Sequence, residues 1–127
     1  MKKYIVVTGG AGFVGSNLIE YLLSKTDKKI LSIDNYSSGF KKNHIFSPRL
    51  KYIKADTKDI SKVLSKYKSQ IISLFHFGEF SRIFQSFNKF DECFLSNTIG
   101  TYATFKFCLD NKIKLIYSAT SATLGNK

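Results

Sequence analysis

One stretch constrains this chain more than any other: Thr8-Gly9-Gly10-Ala11-Gly12-Phe13-Val14-Gly15. It follows Lys3-Tyr4-Ile5-Val6-Val7, an apolar, β-branched run. It precedes Ser16-Asn17-Leu18-Ile19-Glu20-Tyr21-Leu22-Leu23, which reads as a helix. A strand feeding a glycine turn that opens a helix is the context in which such a turn holds phosphate. Gly9 permits the sharp turn off the strand. Gly12 lets the backbone approach a pyrophosphate with no Cβ in between, and Gly15 lets the helix pack closely on the sheet. The first turn of the helix, around Phe13 and Val14, then offers N–H groups without intrahelical partners and a partial positive charge. The glycines stand at GxxGxxG spacing, one residue wider than GxGxxG.

A second feature stands where a dinucleotide site needs it. Lys28-Lys29-Ile30-Leu31-Ser32-Ile33 reads as the next strand, and Asp34 ends it, 19 residues beyond Gly15. The acid that holds an adenosine ribose is expected about 20 residues on. A carboxylate there accepts hydrogen bonds from ribose hydroxyls and repels a 2′-phosphate. The pattern therefore predicts NAD rather than NADP as cofactor.

The remaining sequence alternates strand and helix. Val14, Leu18 and Leu22 share a predicted helical face, with Ile19 beside them. Residues 35–48 are polar and read as a long loop. Lys51-Tyr52-Ile53-Lys54-Ala55 is a short third strand, and Ile60, Val63, Leu64 and Tyr67 mark a short helix. Gln70-Ile71-Ile72-Ser73-Leu74-Phe75-His76-Phe77 is a nearly continuous apolar run, as expected of a central parallel strand. Residues 88–111 read as a long helical stretch broken only by Gly100, and Lys114-Leu115-Ile116-Tyr117-Ser118 as a fifth strand. Repeated βα units predict an α/β, doubly wound parallel sheet in the order 3-2-1-4-5, a Rossmann fold forming one domain over residues 1–127. Its ligand belongs at the carboxyl ends of the strands, where Gly9, Asp34, Asp56, Gly78 and Ser118 fall.

Composition narrows the function classes. Net charge is +11, from 20 Lys+Arg against 9 Asp+Glu. Such a balance suits nucleic acid, an anionic membrane or an acidic substrate. The lysines are scattered as singles and pairs, Lys28-Lys29 and Lys41-Lys42, and read as a solvated surface rather than a nucleic-acid footprint. No stretch approaches the roughly 20 apolar residues of a membrane span. Met1-Lys2-Lys3 runs straight into strand, which is not the form of a signal peptide. Cys93 and Cys108 fall in one predicted helical stretch without ligand spacing. They read as buried thiols rather than a disulfide or a metal site, which suits a reducing cytoplasm.

Together these residues resemble the extended short-chain dehydrogenase/reductase family, in its branch of NAD-dependent epimerase/dehydratases of nucleotide sugars, the UDP-glucose 4-epimerase-like proteins. The resemblance runs along the whole chain. Residues 8–17 look like the family's phosphate loop, and Asp34-Asn35-Tyr36-Ser37-Ser38-Gly39 like its ribose-binding segment. Asp56-Thr57 matches the position whose side chain and backbone hold the adenine. Phe75-His76-Phe77-Gly78, with Glu79 after it, looks like the strand-four end that lies along the cofactor. Asn97-Thr98-Ile99-Gly100-Thr101 matches an Asn-x-x-Gly-Thr element whose Asn steadies the active site. Residues 117–125 look like the Ser/Thr-rich strand end that carries the catalytic hydroxyl. The resemblance thus implies Thr120 as the catalytic hydroxyl and Ser118 beside the nicotinamide.

Three departures from the family pattern stand out. Glu79-Phe80-Ser81-Arg82 replaces a small, Ala-rich stretch and brings a charge of each sign to the pocket. Leu124 stands where many members have Tyr. The family's general base, a Tyr in a Tyr-x-x-x-Lys pair, would follow Thr120 on a later helix, and no such pair follows it here. Tyr21…Lys25 and Tyr102…Lys106 match the spacing but precede Thr120, and read as chance matches. His76 reads as a packed, hydrogen-bonded strand residue. The expectation is the N-terminal, NAD-binding part of a nucleotide-sugar epimerase/dehydratase, lacking the C-terminal substrate domain, inactive alone, cytoplasmic, with a possible homodimer through the helices around Asn97. The rival readings are a non-catalytic dinucleotide-binding or sensing module and a basic nucleic-acid-binding domain.

Overall fold

The computed structural model describes residues 1–120 and 124–125. Ser121 and Thr123 of the Ser/Thr-rich run lie outside the described residues. The chain runs β1 (Tyr4–Thr8), α1 (Phe13–Lys25), β2 (Lys29–Asp34), β3 (Leu50–Lys54), α2 (Ile60–Val63), β4 (Ile71–His76), α3 (Ile83–Ser86), α4 (Phe90–Phe94), α5 (Thr101–Asp110) and β5 (Lys114–Tyr117). The five strands form one parallel sheet in the order β3-β2-β1-β4-β5, as the βα alternation predicts. The order reverses at β1, which places a crevice at the carboxyl ends of β1 and β4.

Period-two alternation, interrupted by a register shift at the start of β4, assigns each strand residue to one face of the sheet. Ile5, Val7 and Ile30 turn toward α1 and pack with Ile19 and Leu22. Val6, Leu31, Ile33, Ile71 and Leu74 turn the other way, to Ile60, Leu64, Phe107 and Cys108. The sheet is therefore covered on both faces, which explains the apolar run of β4. Burial leaves the Cys108 thiol pushed up to about 11, an inert core group, while Cys93 is half-buried.

Two sequence expectations give way here. In α1 the core face is Gly15, Ile19 and Leu22, with Val14 57% exposed and Leu18 half-buried. The cause is Gly15, whose α-carbon rests on the Gly9 carbonyl; a Cβ there would collide with that oxygen and with Gly10. That contact sets the rotation of the whole helix. Gly100, in turn, does not break the helical stretch. A π-helical turn, Leu95–Gly100, joins α4 to α5 with helical backbone on both sides. Gly100 is there for close approach, since a Cβ would run into the side chain of Thr57.

Among the described residues no helix is long and apolar enough to cross a membrane, and no group of three or more His, Cys, Asp or Glu side chains is arranged to hold a metal ion.

Candidate functional site

The register brings the singled-out residues to one edge. Thr8 stands opposite Ile33 on one side and His76 on the other, Asp34 opposite Lys54, and His76 opposite Tyr117. Gly9, Asn35, Asp56, Phe77 and Ser118 therefore all lie at or just beyond the carboxyl ends of their strands.

At β1 the chain turns at Gly9, whose φ of 73° falls in the left-handed region that glycine tolerates. A Cβ there would also fall 2.7 Å from the Phe77 carbonyl oxygen. Helix α1 then begins at Gly12 with no side-chain cap and no acidic residue in its first turn. Phe13 and Val14 turn their side chains outward. The first-turn N–H groups thus face the crevice as donors, with the positive end of the helix dipole behind them. At Gly12 a Cβ would touch only the Gly9 carbonyl, at 3.3 Å, so the structure itself has room for a methyl group there.

On the β2–β3 side, Asp34 is turned toward this mouth. Its carboxylate accepts the Ala11 N–H at 3.0 Å and the Tyr36 N–H at 2.8 Å. An ionised carboxylate offers about four acceptor positions, so about two remain for hydroxyl donors. Gly39 packs where a Cβ would fall 2.8 Å from the same carboxylate. Asn35 donates its amide to Asp56 at 2.8 Å, joining the ends of β2 and β3. Thr57 follows in a short 3-10 turn against Gly100. The loop beyond β2 folds back on the glycine turn: Phe40 N–H and the Asn43 amide both donate to the Ala11 carbonyl, at 3.1 and 2.8 Å. Tyr36 adopts φ 62°, uncommon for a side chain of that size. Its hydroxyl lies 2.8 Å from His44 Nε2, and the His44 ring stacks on Tyr52 at 3.7 Å. Nothing in the polar composition of residues 35–48 foretells these contacts. Burial, with Asp34 and Tyr52 nearby, holds the Tyr36 phenol above its ordinary pKa.

On the β4–β5 side the contacts are between side chains. Thr8 Oγ1 accepts the N–H groups of Phe77 and Gly78, each at 3.0 Å. Its own proton is thereby directed to His76 Nδ1, 2.7 Å away. His76 is fully buried, and burial lowers its pKa to about 4, so the ring is neutral with its proton on Nε2. Nε2 faces Thr101 Oγ1 at 3.2 Å, and that hydroxyl donates to Glu79 Oε1 at 2.9 Å. Burial, and after it the nearby Glu79 carboxylate, raises the pKa of Tyr117. One directed chain of hydrogen bonds thus links β1, β4, α5 and the loop after β4. Of its members the sequence singled out Glu79 as a candidate and His76 as a packed residue; Thr8 and Thr101 carry no local signal of this role.

The NAD dependent epimerase/dehydratase family matches residues 5–127. The chain belongs to that family. Among solved structures, a UDP-N-acetylglucosamine 4-epimerase from Methanobrevibacter ruminantium M1, in complex with UDP-N-acetylmuramic acid, is 32% identical, with a TM-score of 0.83 over 100% of this chain and 41% of its own. The Bordetella bronchiseptica enzyme WbmG in complex with NAD is 25% identical, with a TM-score of 0.82 over 98% of this chain and 40% of its own. A UDP-glucose 4-epimerase from Thermotoga maritima, at 24% identity and TM-score 0.82, shares the fold over 94% of this chain and 38% of its own. The chain therefore spans about two fifths of the length of these structures.

The remaining candidates of this epimerase/dehydratase chain are placed as follows. Asn97, in the π turn, has both ends of its amide taken by Phe80: Oδ1 accepts the Phe80 N–H at 2.6 Å and Nδ2 donates to the Phe80 carbonyl at 2.8 Å. It braces the loop after β4 rather than pointing a free amide at a ligand. Ser118 and Thr120 are exposed beyond β5. Lys106 pairs with Asp110 at 3.1 Å, one turn further along α5, so it is not set on Tyr102. Arg82 is exposed at the start of α3.

Proposed function

We propose that this chain is the NAD-binding part of an epimerase or dehydratase of nucleotide sugars. One observation carries the reading: the Asp34 carboxylate is turned onto the glycine turn, beside an uncapped helix N-terminus that has no acid in its first turn. Those two groups are chemically matched to the two polar parts of an adenosine diphosphate, the ribose hydroxyls and the pyrophosphate. The cradle fits the group: Gly9 closes the turn against the Phe77 carbonyl, and at Gly12 only the Gly9 carbonyl lies near the place of a Cβ, which leaves room for a ligand to approach the backbone.

In this reading Gly9, Gly12 and Gly15 shape the loop, and the N–H groups of Phe13 and Val14 bind the pyrophosphate. Asp34 and Asn35 hold the adenosine ribose, with Asp56 and Thr57 at the adenine. Phe77, Gly78 and Glu79 line the other half of the cofactor, with Asn97 bracing them and Ser118 at the nicotinamide. Thr120 donates its hydroxyl to a sugar oxygen. NAD, when bound, supplies the hydride acceptor. No Tyr-x-x-x-Lys pair follows Thr120 within these 127 residues, so the chain by itself binds NAD without turnover. Nucleotide-sugar relatives such as the UDP-N-acetylglucosamine 4-epimerase support this substrate class.

Calorimetric titration tests it. NAD binds and NADP binds at least about tenfold more weakly, since its 2′-phosphate meets Asp34. Asp34→Ala weakens NAD by about tenfold or more and narrows the gap to NADP. Equal affinity for both cofactors in the unaltered chain overturns the role of Asp34. NAD-dependent turnover by the isolated chain overturns its inactivity.

A further inference from the structure

The hydrogen-bond chain of the β4–β5 side ends on a carboxylate that, among the described residues, has no charged basic group in ion-pair range. The Glu79 side chain is 23% exposed. Its side-chain donor is a neutral hydroxyl, that of Thr101. Among the described residues, the basic group in ion-pair range of it is His76 Nε2 at 3.5 Å, and that imidazole is neutral. The lysines that form ion pairs are engaged with other acids: Lys28 with Asp27, Lys58 with Asp59, Lys89 with Glu92 and Lys106 with Asp110. Taking a charge largely out of water without a counter-charge is unfavourable. A hydroxyl donor offsets only part of that.

Its place in the fold indicates what the charge faces. Gly78, its neighbour, is tied to Thr8, and Phe77 abuts Gly9. Glu79 thus stands on the far side of the glycine turn from Asp34. In a doubly wound sheet a dinucleotide crosses the point where strand order reverses, with one mononucleotide on each side. If Asp34 marks the adenosine half, Glu79 marks the nicotinamide half. The two carboxylates then face different chemistry. Asp34 faces hydroxyls, whose charge never changes. Glu79 faces a ring that is cationic when oxidised and neutral when reduced.

We propose that Glu79 discriminates between the redox states of the bound dinucleotide, its carboxylate favouring the oxidised, cationic nicotinamide over the reduced, neutral one. The proposal rests on the NAD-binding reading above and extends it. It also gives the Glu-Phe-Ser-Arg departure a chemical meaning: an acid stands where the family pattern has small apolar residues.

The test is a set of calorimetric titrations of the purified protein with NAD⁺, NADH and ADP-ribose, which lacks the ring. The unaltered chain is compared with Glu79→Gln, Glu79→Ala and Tyr117→Phe, each checked by thermal melting. Removing the carboxylate lowers the ratio Kd(NADH)/Kd(NAD⁺) by about tenfold, the contribution of one charge pair across a partly solvated gap. The loss falls on NAD⁺, and ADP-ribose affinity stays within about twofold. Tyr117→Phe keeps the charge and leaves the ratio unlowered, which separates charge from scaffolding. Glu79→Ala serves if the Gln variant fails to fold, because Ala is at home at this position in the family pattern. A ratio unchanged within about twofold in a folded variant overturns the proposal while NAD binding stands. Binding of none of the three ligands by the unaltered chain overturns the dinucleotide reading and this proposal with it.

Discussion

On the β2–β3 side of the glycine turn, polar groups are held largely by backbone. Asp34 takes two N–H groups, and the loop beyond it is pinned to the Ala11 carbonyl. On the β4–β5 side, Thr8, His76, Thr101 and Glu79 hold one another through side chains from β1, β4, α5 and the loop after β4. The apolar surface differs as well. The first half turns its large apolar strand residues into the two cores, whereas residues 83–109 present Ile83, Phe84, Phe87, Phe90, Tyr102 and Leu109 to solvent. The first side is thus a self-contained cradle set by local backbone geometry. The second is a polar cluster assembled over long sequence separations, beside helices whose outer face is not needed to fold the sheet.

The largest effect tests the cradle. Gly15→Ala puts a Cβ into the Gly9 carbonyl and 2.8 Å from the Gly10 α-carbon. Neither is a flexible side-chain end, so α1 must shift off the sheet. The expected loss exceeds about 3 kcal/mol in urea denaturation. Gly12→Ala meets only one oxygen, at 3.3 Å, and its φ of −83° suits alanine. It leaves stability within about 1 kcal/mol but weakens NAD. If the two substitutions destabilise alike, the division between a glycine that packs and a glycine that binds is wrong.

The second prediction concerns the polar cluster and is read against pH. His76 has its pKa lowered to about 4 in the folded chain, from the ordinary 6.5. The unfolded chain therefore binds its proton first. Stability is full above about pH 7, falls as pH drops through 6.5, and levels off below about 4. The shift corresponds to roughly 3 kcal/mol in all. His76→Asn keeps an acceptor toward Thr8 and removes the titration. The stability difference between wild type and variant should shrink toward acid by about that amount. A difference that is flat from pH 7 to 4 would mean that the imidazole is not buried neutral, and would remove the direction assigned to the whole hydrogen-bond chain.

The same contrast explains what could be read from the residues. The sheet order and the places of Gly9, Gly15 and Asp34 follow from short-range spacing, because backbone turns and a helix N-terminus are local objects. Thr8 and His76 are 68 residues apart, and no spacing rule joins them. The α1 face departs from the periodicity because periodicity weighs side-chain hydrophobicity, whereas a contact of the side-chain-free Gly15 sets the rotation. Gly100 departs from its pattern for a related reason. Glycine reads as a breaker when its neighbour in space, Thr57, lies 43 residues away. Glu79 stands in the sequence both as a candidate at the strand-four end and as a departure from a family pattern, but its donor, Thr101, lies 22 residues away on α5.

The smallest expected effect probes the outer helices. Phe84 is 85% exposed and Phe87 is 77% exposed. Side chains that remain in water in the folded chain contribute almost no burial, so nothing is lost when they shorten. Phe84→Ser with Phe87→Ser should leave urea stability within about 0.5 kcal/mol of the parent. Ile19→Ala, which empties a fully buried site between α1 and the sheet, should lose about 2–5 kcal/mol in the same experiment. A comparable loss from the two phenylalanines would mean that they pack in the folded chain, and that the helices after β4 are as much a part of its core as α1.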